Sequence, residues 1–353
     1  MHKVIVIGSV NIDYTIYVDS FPRVGETIHG YNKVSSLGGK GANQALAITR
    51  ANVENKFLCF LGDDEVANEI RENFDKYHID AVPMTIKGVP SGNAFIYVDK
   101  NSNNEIIVLS GANFEGSVDV IKKHYDLIQQ SEYIVLQNEI NPFINEWVIK
   151  EFGKTHHIIL NPAPGKPLKE ELMPYIDYIS PNEGELKLIT KEDDISKGVK
   201  YLLDHGIRNV IVTLGEKGSM YFSKERQIKV EPYKVNPIDT VAAGDSFLGF
   251  FVSQIASDKD IEYALRFASV GAALSTTKKG AAASIPSYDE IMQCMNKDTK
   301  WTRFWKLFYY HPRYCLFQDA HITKVQPQQL VQPLLQQVEV LLQLLDLMVL
   351  EME

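Results

Sequence analysis

The chain has 353 residues, 45% of them hydrophobic, and a formal net charge of −9 at pH 7. This length suffices for a substantial core in one large α/β domain or two smaller ones, and the acidic balance argues against nonspecific nucleic-acid binding, which needs a basic surface. The three cysteines lack close spacing, so they indicate neither a disulfide framework nor a cysteine-based zinc site and fit a reducing compartment.

The first apolar run, in residues 3–9, predicts a buried strand, and its core Val4–Ile7 is too short for a signal peptide. A cytoplasmic protein without a membrane partner is therefore expected. Similar runs predict further strands at 57–61, 133–137, 157–160, 209–214 and 219–222. Helical periodicity lies between them, around 64–77, 117–130, 142–153 and 196–205. This alternation predicts an α/β fold with a doubly wound, mostly parallel sheet and helices on both faces.

Two regions break that rhythm by alternating apolar and polar side chains. They are residues 14–36 and 91–110, with turn-forming residues at 101–104. We interpret them as a small β-sheet lid beside the main sheet. Two ordinary surface hairpins are the alternative.

The last part of the chain, residues 297–353, differs in composition from the rest. It contains no glycine and eight glutamines, and apolar residues recur with three-four spacing from Val331 to Met348. A packing helix is the first interpretation, and a self-association helix or a non-native extension are the others. Residues 1–296 are accordingly predicted to form the functional domain and 297–353 an atypical C-terminal extension, partly helical or disordered.

Residues 38–44 read Gly-Gly-Lys-Gly-Ala-Asn-Gln and lead into an apolar-periodic stretch. The glycines let the backbone approach a ligand closely, and Lys40 and Asn43 supply donors suited to sugar hydroxyls. The spacing excludes a P-loop, because Val34 and Gly41 occupy the positions where a glycine and a Ser or Thr are needed. It also excludes the dinucleotide fingerprint.

Residues 239–251 carry a second pattern, in which Ala242, Ala243 and Gly244 lead into Asp245 and an apolar run. A helix beginning here would expose backbone N–H groups that stabilise a phosphate. A carboxylate in the same turn can take a proton from a hydroxyl. Together these features suggest phosphoryl transfer to an alcohol, whereas the segment alone would equally suit an ordinary helix start.

These two segments, in this order, resemble the two signatures of the ribokinase-like sugar kinases of the phosphofructokinase-B type. Further segments match the family in order and spacing, and the resemblance covers roughly residues 3–295. These segments are Gly8-Ser-Val-Asn-Ile-Asp13, Asn161-Pro-Ala-Pro164, Pro181-Asn-Glu-Gly-Glu185 and Thr213-Leu-Gly215.

The resemblance implies ATP-dependent phosphorylation of D-ribose to D-ribose 5-phosphate. Asp245 would be the general base, and the N–H groups of Ala242, Ala243 and Gly244 would form the anion hole. Two alternatives stay open: a kinase for 2-deoxyribose, fructose or adenosine, and a non-catalytic relative that binds sugar or nucleotide. A scaffold built on the odd tail is a third.

The resemblance also assigns the remaining site residues. The residues that bind the sugar would be Asn11, Asp13, Gly39, Lys40, Asn43, Glu139 and Asp245. The nucleotide would contact Asn182, Thr213, Leu214, Gly215, Glu216, Lys217, Gly218, Gly244 and Ser269. Asn182 and Glu185 would order Mg²⁺ through water. A K⁺ site would comprise Asp239, Val241, Ser275, Lys278, Gly280 and Ser284.

The family also implies a homodimer formed through the lid. Two positions depart from its pattern. Leu248 stands where an Asn is usual, and Glu183-Gly184 is a variant interior of the magnesium motif. Neither removes a named catalytic group, although Leu248 could alter packing behind the sugar.

Overall fold

A computed structural model of the chain describes residues 3–101 and 103–297. The strands are β1 Val4–Ile7, β2 Asn11–Val18, β3 Gly30–Gly38, β4 Asn55–Leu61, β5 Ala81–Thr85, β6 Gly92–Val98, β7 Asn104–Leu109, β8 Tyr133–Gln137, β9 His157–Asn161, β10 Tyr178–Ile179, β11 Asn209–Thr213, β12 Ser219–Ser223 and β13 Gln227–Val230.

The helices are α1 Lys40–Arg50, α2 Glu65–Tyr77, α3 Ala112–Glu115, α4 Val118–Lys122, α5 Tyr125–Gln129, α6 Pro142–Phe152, α7 Glu183–Thr190, α8 Ile195–Asp204, α9 Ala243–Ile255, α10 Ile261–Ser275 and α11 Tyr288–Lys297. Two 3-10 turns, Glu170–Tyr175 and Gly215–Lys217, complete the regular structure of the described residues.

The main sheet has nine strands in the order β13-β12-β11-β10-β9-β8-β1-β4-β5. Pairing is parallel from β5 to β11, and β12 and β13 add an antiparallel edge. Alternate residues of β1 enter different cores: Val4 and Val6 pack with α1, α2, α9 and α10, whereas Ile5 and Ile7 pack with α4 to α8. The predicted doubly wound sheet with helices on both faces is confirmed.

The second sheet has four strands in the order β3-β2-β6-β7. It is formed by the two alternating regions predicted as a lid: the strands of the first extend slightly beyond residues 14–36, and those of the second lie within residues 91–110. Burial is greatest where β2 begins: Asn11, Ile12 and Asp13 are buried, whereas every residue of β7 is exposed. Val18, at the other end of β2, is also buried. The alternative of two separate hairpins is therefore wrong.

One predicted helix is divided in the structure, and three strands and the helices α3, α10 and α11 were not predicted. Residues 117–130 form two short helices separated near His124, and the buried Ile121 and Ile128 pack into the same core on either side of the break. β5, β10 and β13 carry weak strand signals: β5 is an edge strand containing Pro83, and β10 has two residues.

The predictions for residues 298–353 lie outside the described residues. Within the described part, no helix combines the length and apolar character that a membrane span requires.

Candidate active site

The predicted site residues gather at the carboxyl ends of the parallel strands. Glu139 follows β8, Asn182 follows β10 and the loop 213–218 follows β11, and Ser9, which was not predicted, follows β1. Open α/β sheets bind ligands along this edge, because loops and helix N-termini converge there.

The glycine segment brings α1 against the turn after β1. Gly39 is the N-cap of α1 with φ 90°, and a Cβ at this position would lie 2.7 Å from Val10 Cα. A Cβ on Gly41 would likewise lie 2.7 Å from the Gly8 backbone. Only glycine permits this approach, which directs Lys40 and Asn43 into the site.

Asp245 lies in the first turn of α9 and is 6% exposed. Asn43 Nδ2 donates to its Oδ2 at 3.1 Å, and Gln44 Nε2 donates to its Oδ1 at 3.3 Å. Lys40 Nζ is 3.9 Å from Oδ1. The glycine segment therefore holds the predicted base, although the two lie two hundred residues apart in sequence.

The turn before Asp245 has the conformation of a tight helix start. Ala242 is the N-cap with φ 60°, and Ala243 N–H donates to Thr240 O at 3.3 Å. A Cβ added to Gly244 would meet no atom within 4 Å, so the helix end opens onto free space. One of the three predicted anion-hole donors, that of Ala243, is thus engaged within the turn.

Two of the residues predicted to bind the sugar lie at the lid end of the site. Asp13 is 9% exposed, and a Cβ on Gly38 of the neighbouring strand would lie 2.0 Å from Asp13 Oδ2. Asn11 Oδ1 accepts from Asn113 Nδ2 at 2.9 Å. Both side chains are positioned by close packing against the adjacent strands.

Glu139 joins the strand ends to the glycine segment. Its Oε2 accepts from Ser9 Oγ at 2.6 Å and from the Lys40 backbone N–H at 3.1 Å. A carboxylate at the start of α1 is electrostatically favourable.

Burial and neighbouring charges shift the pKa values of Asp13, Lys40 and Glu185. Burial, together with Glu139 and Asp245, raises the pKa of Asp13 to about 7. Asp245 raises the pKa of Lys40, whereas burial lowers it. Burial raises the pKa of Glu185, which also senses Lys40 and Asp245. A single lysine thus faces several carboxyl groups.

Asn182 and Glu185 form a capping box at the start of α7. Asn182 Oδ1 accepts from Glu185 N–H at 2.8 Å, and Glu185 Oε2 accepts from Asn182 N–H at 2.9 Å. A parallel bridge joins Asn182 to Thr213. Among the described residues, no group of three His, Cys, Asp or Glu side chains could hold a metal ion.

The predicted nucleotide loop is a glycine turn after β11. Gly215 and Gly218 have φ 57° and 88°, and Leu214 N–H donates to Gly218 O at 2.8 Å. A Cβ at Gly218 would lie 2.1 Å from Val230 O, so no other residue fits there. Glu216 and Lys217 lie in the 3-10 turn, and Ser269 lies on α10.

The two loops of the predicted K⁺ site are joined by Asp239. Its carboxylate accepts from Val241 N–H at 3.0 Å and from Gly280 N–H at 2.9 Å. The hydroxyls of Ser275 and Ser284 donate to carbonyls three residues earlier. Lys278 Nζ pairs with Glu290 Oε1 at 2.8 Å.

Sequence reasoning missed Ser9, Gln44 and Asn113 as parts of the site. Ser9 lies in the segment Gly8–Asp13 and Gln44 in the segment 38–44. Both segments match the family, and this match was the signal that could have identified the two residues. Asn113 follows the lid and has no motif around it. Of the two departures, Leu248 is fully buried in the core, and a Cβ added to Gly184 would lie 3.4 Å from Asn182 Oδ1, which is an ordinary contact.

The chain is similar to known carbohydrate kinases. The model of the pfkB family of carbohydrate kinases matches residues 1–288. The chain is 37% identical over 302 residues to a ribokinase of Staphylococcus aureus, covering 83% of this chain and 99% of that protein. It is 35% identical over 306 residues to a deoxyribokinase of Salmonella typhi, covering 82% and 98%.

Solved structures agree with these relatives. The ribokinase of Thermotoga maritima matches with a TM-score of 0.79 at 33% identity, covering 84% of this chain and all of that chain. The Arabidopsis thaliana ribokinase complexed with ribose and ATP matches with a TM-score of 0.77 at 29% identity, covering 84% and 99%.

Proposed function

Because the chain belongs to the pfkB family of carbohydrate kinases, we propose that it transfers the γ-phosphoryl group of ATP to the 5-hydroxyl of D-ribose. The observation that carries this proposal is the buried Asp245 at the start of α9, held by the glycine segment. The relatives with the same architecture include ribokinases, one of them complexed with ribose and ATP.

The sugar would occupy the space bounded by Asp13, Asn11, Lys40, Asn43 and Glu139. These side chains provide both donors and acceptors, which a polyhydroxylated ligand needs. Buried polar groups without partners cost about 1–3 kcal/mol each, so a sugar that satisfies them is favoured over one lacking a hydroxyl.

Asp245 would accept the proton of the reacting hydroxyl as the oxygen attacks the γ-phosphorus. The bond from that phosphorus to the bridging oxygen of ADP then breaks. The N–H groups at the start of α9 would stabilise the charge on the transferring group. The lysine beside the base keeps its positive charge, because Asp245 raises the pKa of Lys40.

The residues present fit the groups that this reaction needs. A Cβ added to Gly215 would meet no atom within 4 Å, so phosphates would approach the turn 213–218 at this residue. Glu185 has one carboxylate oxygen outside the capping box. A hydrated Mg²⁺ takes few protein ligands, so Glu185 and Asn182 would hold it through water. Bound Mg²⁺ neutralises phosphate charge.

K⁺ would be held between the loops 239–241 and 275–284, largely by carbonyl oxygens. Their joining through Asp239 supports this assignment. The loop runs directly into the turn at Ala242, so an ion here would fix the anion-hole backbone. We expect turnover to be high in K⁺ and weak in tetramethylammonium at equal ionic strength, with Mg²⁺ saturating in both. Equal turnover in K⁺ and in tetramethylammonium would contradict the proposed K⁺ site.

We also propose a homodimer formed through the lid. Val34, Ile106 and Val108 expose about half of their side-chain surface, and monomers rarely leave contiguous apolar patches uncovered. Replacing Val108 by Asp should convert a dimer to a monomer in sedimentation velocity. A wild-type monomer would contradict this proposal.

We also propose a cytoplasmic location, because Cys59 and Cys294 are free thiols.

A coupled ADP-release assay across ribose, 2-deoxyribose, fructose and adenosine tests the proposed substrate. We expect the highest kcat/KM with ribose. The second candidate is 2-deoxyribose, because deoxyribokinases are 35% identical to the chain. A higher kcat/KM with 2-deoxyribose would select that alternative, and no ADP release with any acceptor would indicate a binding protein.

A further inference from the structure

Gln44 is fully buried beneath the site and contacts the predicted base. We propose that Gln44 is a positioning residue, which holds the Asp245 carboxylate in the orientation needed to accept the substrate proton. This inference rests on the proposed function, since it assigns Gln44 a part in the same reaction.

The direction of each hydrogen bond around Gln44 is determined by its neighbours. Asn161 Nδ2 donates to the backbone oxygen of Ser180 at 3.1 Å, which leaves Asn161 Oδ1 facing Gln44. Gln137 Nε2 donates to Gln44 Oε1 at 2.8 Å. Gln44 Nε2 therefore donates to Asn161 Oδ1 and to Asp245 Oδ1, each at 3.3 Å.

The reversed amide orientation is unfavourable. It would place Gln44 Oε1 against two acceptor oxygens and Gln44 Nε2 against the nitrogen of Gln137. Because amide orientations are assigned from such networks, this arrangement makes Gln44 an obligatory donor to Asp245.

The network is anchored to rigid parts of the main sheet. Gln137 ends β8 and Asn161 ends β9, and Ser180 directly follows β10. A Cβ on Gly8 would lie 1.8 Å from Gln137 Oε1, so β1 closes over the Gln137 side chain. The donor that meets Asp245 is thus fixed by four adjacent strands.

The other partners of Asp245 are less suited to a constant role. Lys40 and Asn43 are expected to contact the sugar, so their hydrogen bonds change when it binds. Gln44 lies behind them and has every amide hydrogen assigned within the protein. The remaining charged groups that face this region are Lys40 on α1, Asp13 on β2, Glu139 after β8 and Glu185 on α7.

Gln44→Met keeps the length of the side chain and removes its donor. We expect kcat to fall about 10- to 100-fold, as befits the loss of a hydrogen bond to a charged group. Dissociation constants for ribose and ATP should stay within about threefold of wild type, since uniform binding is untouched. Gln44→Glu should lower kcat further, because it places an oxygen against Asp245 Oδ1.

A double-mutant cycle distinguishes positioning from general support of the fold. In an Asp245→Asn background, single-turnover rates should show no further loss on adding Gln44→Met, because the group it positions is gone. Gln254→Met is the matched control: Gln254 is buried on α9 and donates to Ser253 Oγ at 3.0 Å, away from Asp245. Its kcat should equal that of wild type.

Three results would overturn the proposal: kcat of Gln44→Met within about twofold of wild type, ligand dissociation constants raised as much as kcat falls, or an equal loss in both backgrounds. Should the methionine variant not fold, Gln44→Glu enters the same cycle. If wild type prefers another sugar, the ribose assignment fails and the cycle is run with that sugar. If no acceptor yields ADP, both proposals fail.

Discussion

The nine-stranded sheet and the four-stranded lid use similar apolar residues but bury them differently. All four residues of β1 are buried, because helices cover both faces of the main sheet, whereas all six residues of β7 are exposed. The lid is buried mainly at its base, around Asn11–Asp13, Leu37–Gly38 and Gly92–Ala94, and also at Val18. Under the proposed function the two sheets would have different roles: the main sheet would hold the reacting groups, the lid base would supply sugar contacts, and the exposed part of the lid would be available for assembly.

The largest expected effect is on the main-sheet side of the site. Asp245→Asn keeps the shape of the side chain but cannot accept a proton at neutral pH, so kcat should fall by about 10²–10⁴. Calorimetry should still show ATP and ribose binding. Turnover near that of wild type would exclude Asp245 as the base.

Removing an apolar side chain should lower the free energy of unfolding much more in the main domain than in the lid. Phe250→Ala opens a cavity against Phe267, whose ring centroid is 5.8 Å away, and should lower the free energy of unfolding by about 3–5 kcal/mol. Ile107→Ala at the 55% exposed lid position should change it by less than about 0.5 kcal/mol. Urea unfolding monitored by circular dichroism measures both. Equal losses would mean that the lid is as buried as the sheet.

Asp13→Ala tests the base of the lid. Removing this acceptor should weaken ribose binding by about 1–3 kcal/mol and leave ATP binding nearly unchanged. Unchanged ribose affinity in calorimetry would show that the sugar lies elsewhere or is not ribose.

The raised pKa of Asp13 adds a pH dependence to this comparison. With a pKa of about 7 in the folded protein against 3.8 for an ordinary aspartate, the folded state binds more protons between these values. Asp13 therefore contributes stability at low pH that is lost as pH rises through about 7. Asp13→Asn should make the free energy of unfolding of the sugar-free protein less dependent on pH between 3.8 and about 7. An unaltered pH profile would contradict the shift.

The smallest effect is expected at the amino-terminal ends of the parallel strands, where His157 begins β9. A hydrogen bond from His157 to Asp177 raises the pKa of His157. The raised pKa stabilises the protein below the ordinary histidine pKa, and the gain disappears as pH rises through the folded value. Since 46% of the His157 side chain is exposed, the contribution is under about 1 kcal/mol.

His157→Gln should lower the urea midpoint at pH 5.5 and leave it unchanged at pH 8.5. His29→Gln in an exposed lid loop is the control and should have no effect at either pH. A loss of the same size at both pH values would point to packing instead, since His157 also stacks on Tyr133.

The sequence alone determined the elements whose residues carry a local signal. Buried strands appear as short β-branched runs because both of their faces are covered. The lid strands were recognisable from alternating apolar and polar residues, although their burial changes along each strand and not from one face to the other. The glycine segment and the turn before Asp245 were recognisable because close approach and helix starts demand small residues. The match to a known family then supplied the roles of Asp13, Glu139 and Glu185, which no local pattern distinguishes from surface carboxylates.

Only the tertiary structure decided which of these residues meet. Asn43 and Asp245 are far apart in sequence, and their hydrogen bond exists because α1 and α9 pack side by side. The amide network through Gln44 depends on three neighbouring strand ends, and the joining of two loops by Asp239 depends on α10 ending beside it. Such contacts arise from long-range packing, which leaves no periodicity in the chain. The direction of a hydrogen bond follows from what surrounds both partners, and that is settled only once the fold has formed.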